Sequence, residues 1–173
     1  MAEAAPTATV AIVEDEVKLR ECLRLVLQGR GYAVTDFESA SEAYARLIAS
    51  PPDLLLSDVR LDGECGLELV RKLRVRFDST RLPIIMLSAL GTEADYRRGF
   101  EAGADDYLPK PVTPAELLAK CEHHLTRKKR ETHRKPRPSG RLVQVGTFGP
   151  YRIDGVLGRG SYGTVYAAHD PER

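Results

Sequence analysis

Leu54-Leu55-Leu56-Ser57-Asp58 is the stretch on which the reading of this chain turns. Three consecutive large aliphatic residues leave no polar alternation, so both faces of the segment must be covered, as in a central strand of a parallel sheet. Pro51-Pro52 just ahead stops whatever helix precedes it. The strand closes on a hydroxyl and a carboxylate, which it delivers to its carboxyl end.

Working outward, the same alternation of elements recurs. Thr9 to Val13 reads as a first strand entering the acidic pair Glu14-Asp15. Leu19, Cys22, Leu23, Val26 and Leu27 follow the spacing of a helix with one buried face, punctuated by Gly29 and Gly31. Tyr32–Phe37 alternates as a second strand, and Ser39 N-caps a helix to Ala49. Leu67, Val70, Leu73 and Phe77 mark a third helix, and Pro83–Leu87 a fourth strand ending at Ser88. A weaker helix, Thr92–Ala102, carries Gly99 inside it. Tyr107-Leu108-Pro109 is a short fifth strand before Lys110-Pro111, and Thr113 to about Arg130 is a fifth helix with Leu117, Cys121 and Leu125 inward. Five such alternations predict an α/β fold, a doubly wound five-stranded parallel sheet with helices on both faces.

Composition agrees. Of 173 residues, 42% are apolar and 29% charged, enough to bury a core and too apolar for a disordered chain. Three widely spaced cysteines, Cys22, Cys65 and Cys121, fit neither a disulfide framework nor a zinc site. No signal-peptide pattern opens the chain and no stretch reaches the length of a membrane span. A reduced cytoplasmic protein is the expectation. Net charge is +1 overall but uneven: residues 1–126 hold 15 Lys+Arg against 21 Asp+Glu, and residues 127–141 hold 8 against 1.

Ligands of open parallel sheets bind beyond the carboxyl ends of the strands. Those ends carry Glu14 and Asp15, Asp58, Ser88 and Lys110. Three converging carboxylates repel one another and call for a hard, oxygen-liking cation such as Mg2+. With the metal and Lys110 the formal charges cancel, and a carboxylate so placed can attack phosphorus. Ser88 can hydrogen-bond an added phosphoryl oxygen.

Val13-Glu14-Asp15, Leu55-Leu56-Ser57-Asp58 with Gly66-Leu67-Glu68, Met86-Leu87-Ser88-Ala89 and Tyr107-Leu108-Pro109-Lys110-Pro111 together resemble the signature of response-regulator receiver domains, over about residues 8–126. The resemblance implies a flavodoxin-like (βα)5 sheet of order 2-1-3-4-5. It implies phosphorylation of Asp58 by a sensor histidine kinase or phosphotransfer protein. Glu14, Asp15, Asp58 and the backbone carbonyl of Arg60 would hold Mg2+, and Lys110 would pair with the phosphate. Ser88 would be the switch hydroxyl and Tyr107 the switch aromatic, turning into space that Ser88 vacates. A cis Lys110–Pro111 bond and a homodimer through the face of helix four, strand five and helix five are also implied. The sequence departs from the family in carrying Asp62 where many receivers have proline. Arg60 and Leu90 are large at positions that gate water's approach to the phosphate. The adjacent His123 and His124 point about 100° apart on a helix and are read as surface residues. Cys65 is read as a spectator.

The basic run is read as the last turn of helix five entering a solvated linker, residues 127–147. No helix-turn-helix follows and no aromatics are interleaved, so nucleic acid is not the expected partner. A scaffold touching nucleic acid or membrane through the linker is the alternative. Beyond it, Gly158, Gly160, Gly163 and Val165 form G-x-G-x-x-G-x-V between two strand-like runs. Residues 148–173 thus resemble the opening of bacterial eukaryotic-like Ser/Thr protein kinases. The catalytic residues of a kinase are absent from the segment, so it is expected to be an incomplete nucleotide loop and this chain not an enzyme.

Overall fold

The computed structural model describes residues 6–89, 93–133, 147–148, 151–160 and 163–169. Leu90, read above as a gating residue, lies outside them. In chain order the elements are β1 (Thr9–Val13), α1 (Val17–Gly29), β2 (Ala33–Phe37), α2 (Ala40–Ala49), β3 (Leu54–Asp58), β4 (Arg60–Leu61), β5 (Glu64–Cys65) and α3 (Gly66–Arg74). They continue as β6 (Ile84–Ser88), α4 (Glu93–Ala102), β7 (Asp106–Pro109), α5 (Pro114–His133), β8 (Thr147–Phe148), β9 (Tyr151–Gly160) and β10 (Gly163–His169). The main sheet is parallel in the order β2-β1-β3-β6-β7. This is the predicted 2-1-3-4-5 once the small β4–β5 hairpin is set aside. Sequence reading missed that hairpin because each arm is two residues long.

The apolar runs do what their composition demands. Every residue of β3 and β6 is buried. Strand alternation then sends neighbours to opposite faces. Leu54 and Leu56 join Val10, Ile12, Ile85 and Leu108 against α1 and α5, through Leu23, Leu27, Leu117 and Cys121. Leu55 joins Val13, Ile84, Met86 and Tyr107 against α2, α3 and α4, through Ala43, Leu47, Val70, Leu73 and Ala102. Each fully buried leucine contributes about 1.5–3 kcal/mol.

The helix ends follow the local chemistry. The Ser39 hydroxyl accepts a bond from the Glu42 N–H, capping α2. Thr113 and Glu116 cap α5 reciprocally, its hydroxyl accepting from the Glu116 N–H and donating to the Glu116 carboxylate. Gly31, at φ +88°, turns the chain from α1 into β2. α3 ends at Arg74, short of the predicted Phe77, which instead packs its ring on the core from the following turn.

Two surface readings are corrected. His124 is 3% exposed, its Nε2 3.0 Å from an Asp106 carboxylate oxygen; only His123 faces solvent. α5 extends into the basic run as far as His133, the rest of that run lying outside the described residues, and Lys128 is buried rather than solvated. Its Nζ lies 3.0 Å from Asp53 Oδ1 and donates to the Pro52 carbonyl, tying the helix to the start of β3. Both errors have one cause: a long helix lying on a sheet buries whatever residues its inward stripe contains.

The chain divides into two compact units, Met1–His133 and Arg134–Arg173. In the second, β9 pairs antiparallel with β10 and with β8. Gly163 stands opposite Gly160, and Val165 opposite Gly158. Among the described residues no helix is long and apolar enough to cross a membrane.

Candidate functional site

Strand register assembles the site. Val13 pairs with Ser57, so Glu14 and Asp58, each one residue further on, emerge side by side. Asp58 pairs with Leu87, and Ser88 with Pro109, which places Ser88 and Lys110 at the same edge. Residues separated by up to 96 positions thus meet at one end of the sheet.

Carboxylate oxygens of Glu14, Asp15 and Asp58 lie within 4.8 Å of one another, a group that could hold a metal ion. Glu14 is fully buried, Asp58 nearly so and Asp15 half-exposed. The Lys110 ammonium bridges the two buried acids, 2.8 Å from Glu14 Oε2 and 2.5 Å from Asp58 Oδ2. The Lys110 backbone N–H donates to the Ser88 carbonyl at 2.8 Å, and the Lys110–Pro111 peptide is cis. Asp58 Oδ1 accepts from the Arg60 N–H at 3.2 Å. Burial pushes the Glu14 carboxyl above its ordinary value; the Lys110 hydrogen bond opposes this and the Asp58 charge adds to it. Burial works to lower Lys110, but its hydrogen bonds to Asp58 and Glu14 outweigh that and raise it. An ammonium trapped between two acids remains charged.

Ser88 is buried at the end of β6. Tyr107 is 5% exposed and lies inside the core, its ring edge-on to Phe100 at 5.4 Å between centroids. Arg60 is exposed and pairs with Cys65 across the β4–β5 hairpin. Asp62 and Cys65 are exposed on the same hairpin.

Three supporting residues carry roles that sequence reading missed. A Cβ on Gly66 would sit 1.8 Å from the Asp58 carbonyl oxygen, so only glycine lets α3 begin against the Asp58 backbone. Its N–H donates to the Val59 carbonyl at 3.0 Å. The Glu64 carboxylate accepts from the Ala40 and Ser41 N–H groups, fastening the loop after Asp58 to the N-terminus of α2. Arg20, on α1, donates to the Glu14 carbonyl. A signal for it existed: Arg20, Leu23 and Leu27 share the i, i+3, i+7 stripe, so an arginine occupies a buried position.

A doubly wound parallel sheet with an acidic pocket and a charged lysine at its strand ends is the architecture of receiver-type α/β signalling domains. The response regulator receiver domain family model matches residues 10–122, and the chain belongs to that family as the receiver of a two-component response regulator. It is similar to the phosphate regulon transcriptional regulatory protein PhoB of Rhizobium meliloti, 42% identical over 153 residues, 79% of this chain and 67% of that protein. The transcriptional regulatory protein ResD of Bacillus subtilis is 38% identical over 118 residues, 68% of this chain and 48% of that protein. Among solved structures, the chemotaxis response regulator CheY4 of Vibrio cholerae superposes with a TM-score of 0.64 at 29% identity, over 68% of this chain and 98% of that one. The chain spans about half the length of several of the curated relatives it matches. Those relatives are regulators rather than enzymes. Receiver domains hold Mg2+ in an acidic pocket and interact with histidine kinases or phosphotransfer proteins.

Proposed function

We propose that Asp58 accepts a phosphoryl group from a sensor histidine kinase or a phosphotransfer protein. The observation that supports this most is the Asp58 carboxylate held between two further acids and the Lys110 ammonium. Asp58 Oδ attacks the phosphorus of the donor's phosphohistidine; a P–O bond forms and the P–N bond breaks. The imidazole leaves with the electron pair and takes up a proton from solvent. Glu14, Asp15, Asp58 and the Arg60 carbonyl would hold Mg2+, which when bound neutralises charge on the transferring group. Lys110 then releases Asp58 to pair with a phosphoryl oxygen, and the Ser88 hydroxyl donates to another. Ser88 and Tyr107 carry the change to α4, β7 and α5, the face on which two copies would pair.

Intact-mass measurement after incubation with a small phosphodonor and Mg2+ tests the assignment. Wild type gains one phosphoryl group and Asp58→Ala gains none while keeping its fold; equal labelling of the variant overturns it.

The same reading makes residues 148–173 the opening of a Ser/Thr kinase output in a longer protein. The spacing of Gly158, Gly160, Gly163 and Val165 favours this. The names of PhoB and ResD favour a DNA-directed output instead. Retention of the chain on DNA that falls steeply with salt would select the second. A parent protein that autophosphorylates on serine or threonine when Asp58 is phosphorylated would select the first.

A further inference from the structure

Arg20 is a buried cation on α1 that holds the backbone of the Glu14–Asp15 loop, with its side chain 7% exposed. Nη1 donates to the Glu14 carbonyl at 2.6 Å and to the Asp15 carbonyl at 3.2 Å. Nη2 lies 2.5 Å from Glu38 Oε1, and Nε 3.3 Å from Asp36 Oδ2. Four acceptors, two on the loop after β1 and two at the end of β2, thus converge on one guanidinium. Asp36 and Glu38 more than offset its charge, so its influence on the pocket is a matter of orientation rather than of a positive field.

Two successive carbonyls gripped by one nitrogen fix two successive peptide planes, and with them the directions of the Glu14 and Asp15 side chains. The Glu14 N–H is tied on the other side to the Phe37 carbonyl at 3.1 Å. Without the fork, three mutually repelling carboxylates would have a loop free to rotate one of them away. A lysine has no planar fork with which to serve four acceptors.

We propose that Arg20 is a positioning residue for the Mg2+ pocket, holding Glu14 and Asp15 in the geometry that binds the ion. The inference rests on the reading of Glu14, Asp15 and Asp58 as that pocket. Outer-shell partners of metal ligands are commonly worth about 10–100-fold in affinity. The same range is expected for Arg20→Met and, because the fork is lost, for Arg20→Lys.

Mg2+ titration followed by backbone amide NMR shifts of residues 13–16 and 58–60 reads the affinity without any phosphorylation. Initial phosphorylation rates with a small phosphodonor are then measured across Mg2+ concentrations. The variants are expected to bind Mg2+ at least tenfold more weakly and to recover the wild-type rate, within about twofold, at saturating Mg2+. Arg74→Lys, buried among different partners, is the control for general loss of stability and is expected to leave the Mg2+ affinity unchanged. If Arg20→Met does not fold, Arg20→Lys carries the same expectation. Wild-type binding with undiminished affinity in the Arg20 variants, or a loss no greater than that of Arg74→Lys, overturns this inference alone. Failure of the wild-type protein to bind Mg2+ at all overturns the pocket assignment with it.

Discussion

The phenolic oxygen of Tyr107 lies 0.9 Å from the point that a Cβ on Gly99 would occupy. Gly99 is therefore the missing wall of α4 into which the Tyr107 ring fits. From sequence alone this glycine reads as a weak point of the helix; in the fold it is what admits the buried ring.

Gly99→Ala should expel the ring. The helix gains up to about 1 kcal/mol of propensity from alanine, but overpacking costs about 1–3 kcal/mol. A net loss of stability is expected in urea unfolding, together with loss of NMR contacts between Tyr107 and Phe100. In a Tyr107→Ala background the same substitution should become neutral or stabilising. Additive effects in that double-mutant cycle would show that the two residues do not compete for the space.

Glu14 sets a pH dependence. Its carboxyl is raised above the ordinary 4.5 chiefly by burial, so between that value and its folded value the native state binds more protons than the unfolded chain. Stability of the metal-free protein should therefore be fullest at the acid side of that window and fall as pH rises through it. Glu14→Gln should flatten this fall, visible as a converging pair of denaturation curves at low pH. Mg2+ affinity should drop as pH descends through the same window, because protons compete for the ligand. A wild-type curve parallel to that of Glu14→Gln would contradict the assignment.

Arg74 closes the opposite end of the sheet. It donates to the carbonyls of Gly103 at 2.7 Å and Leu82 at 2.8 Å, and its Nη2 lies 2.7 Å from Asp105 Oδ2. The Asp105 side chain is 2% exposed and also accepts from the Ile84 N–H. Arg74→Ala strands that carboxylate, with Arg127 still 3.7 Å away, and should cost about 3–5 kcal/mol. The cost should shrink when Asp105→Ala is present. Urea midpoints of the four proteins decide it.

The cysteines should divide by burial. Cys22 and Cys65 are exposed, whereas Cys121 is buried and its thiol is pushed up to about 12, first by desolvation. Iodoacetamide at mildly alkaline pH should label the native chain at two sites and the denatured chain at all three. Rapid native labelling of Cys121 would mean that α5 lifts from the sheet far more readily than its packing allows.

The five main strands and the acidic, hydroxyl and ammonium groups at their ends were legible because a buried parallel strand needs an uninterrupted apolar run, and the run's end marks the sheet's edge. Leu54–Leu56 and Ile84–Leu87 leave little alternative. The β4–β5 hairpin was not legible, since two-residue arms carry no period. The placement of His124 and Lys128 was misread because polar residues default to the surface until a partner is known.

What the chain's order of residues determined by itself is the architecture and the inventory of the pocket: local periodicity dictates the elements, and their alternation dictates the layers. What only the tertiary structure decided is which polar groups meet. Lys110 with Glu14 and Asp58, Arg20 with the carbonyls beneath the acidic pair, and the Tyr107 ring beside Gly99 are contacts across elements, invisible to any local pattern. Their distances follow from strand register and close packing, where a shift of one residue would turn each side chain to the other face of the sheet.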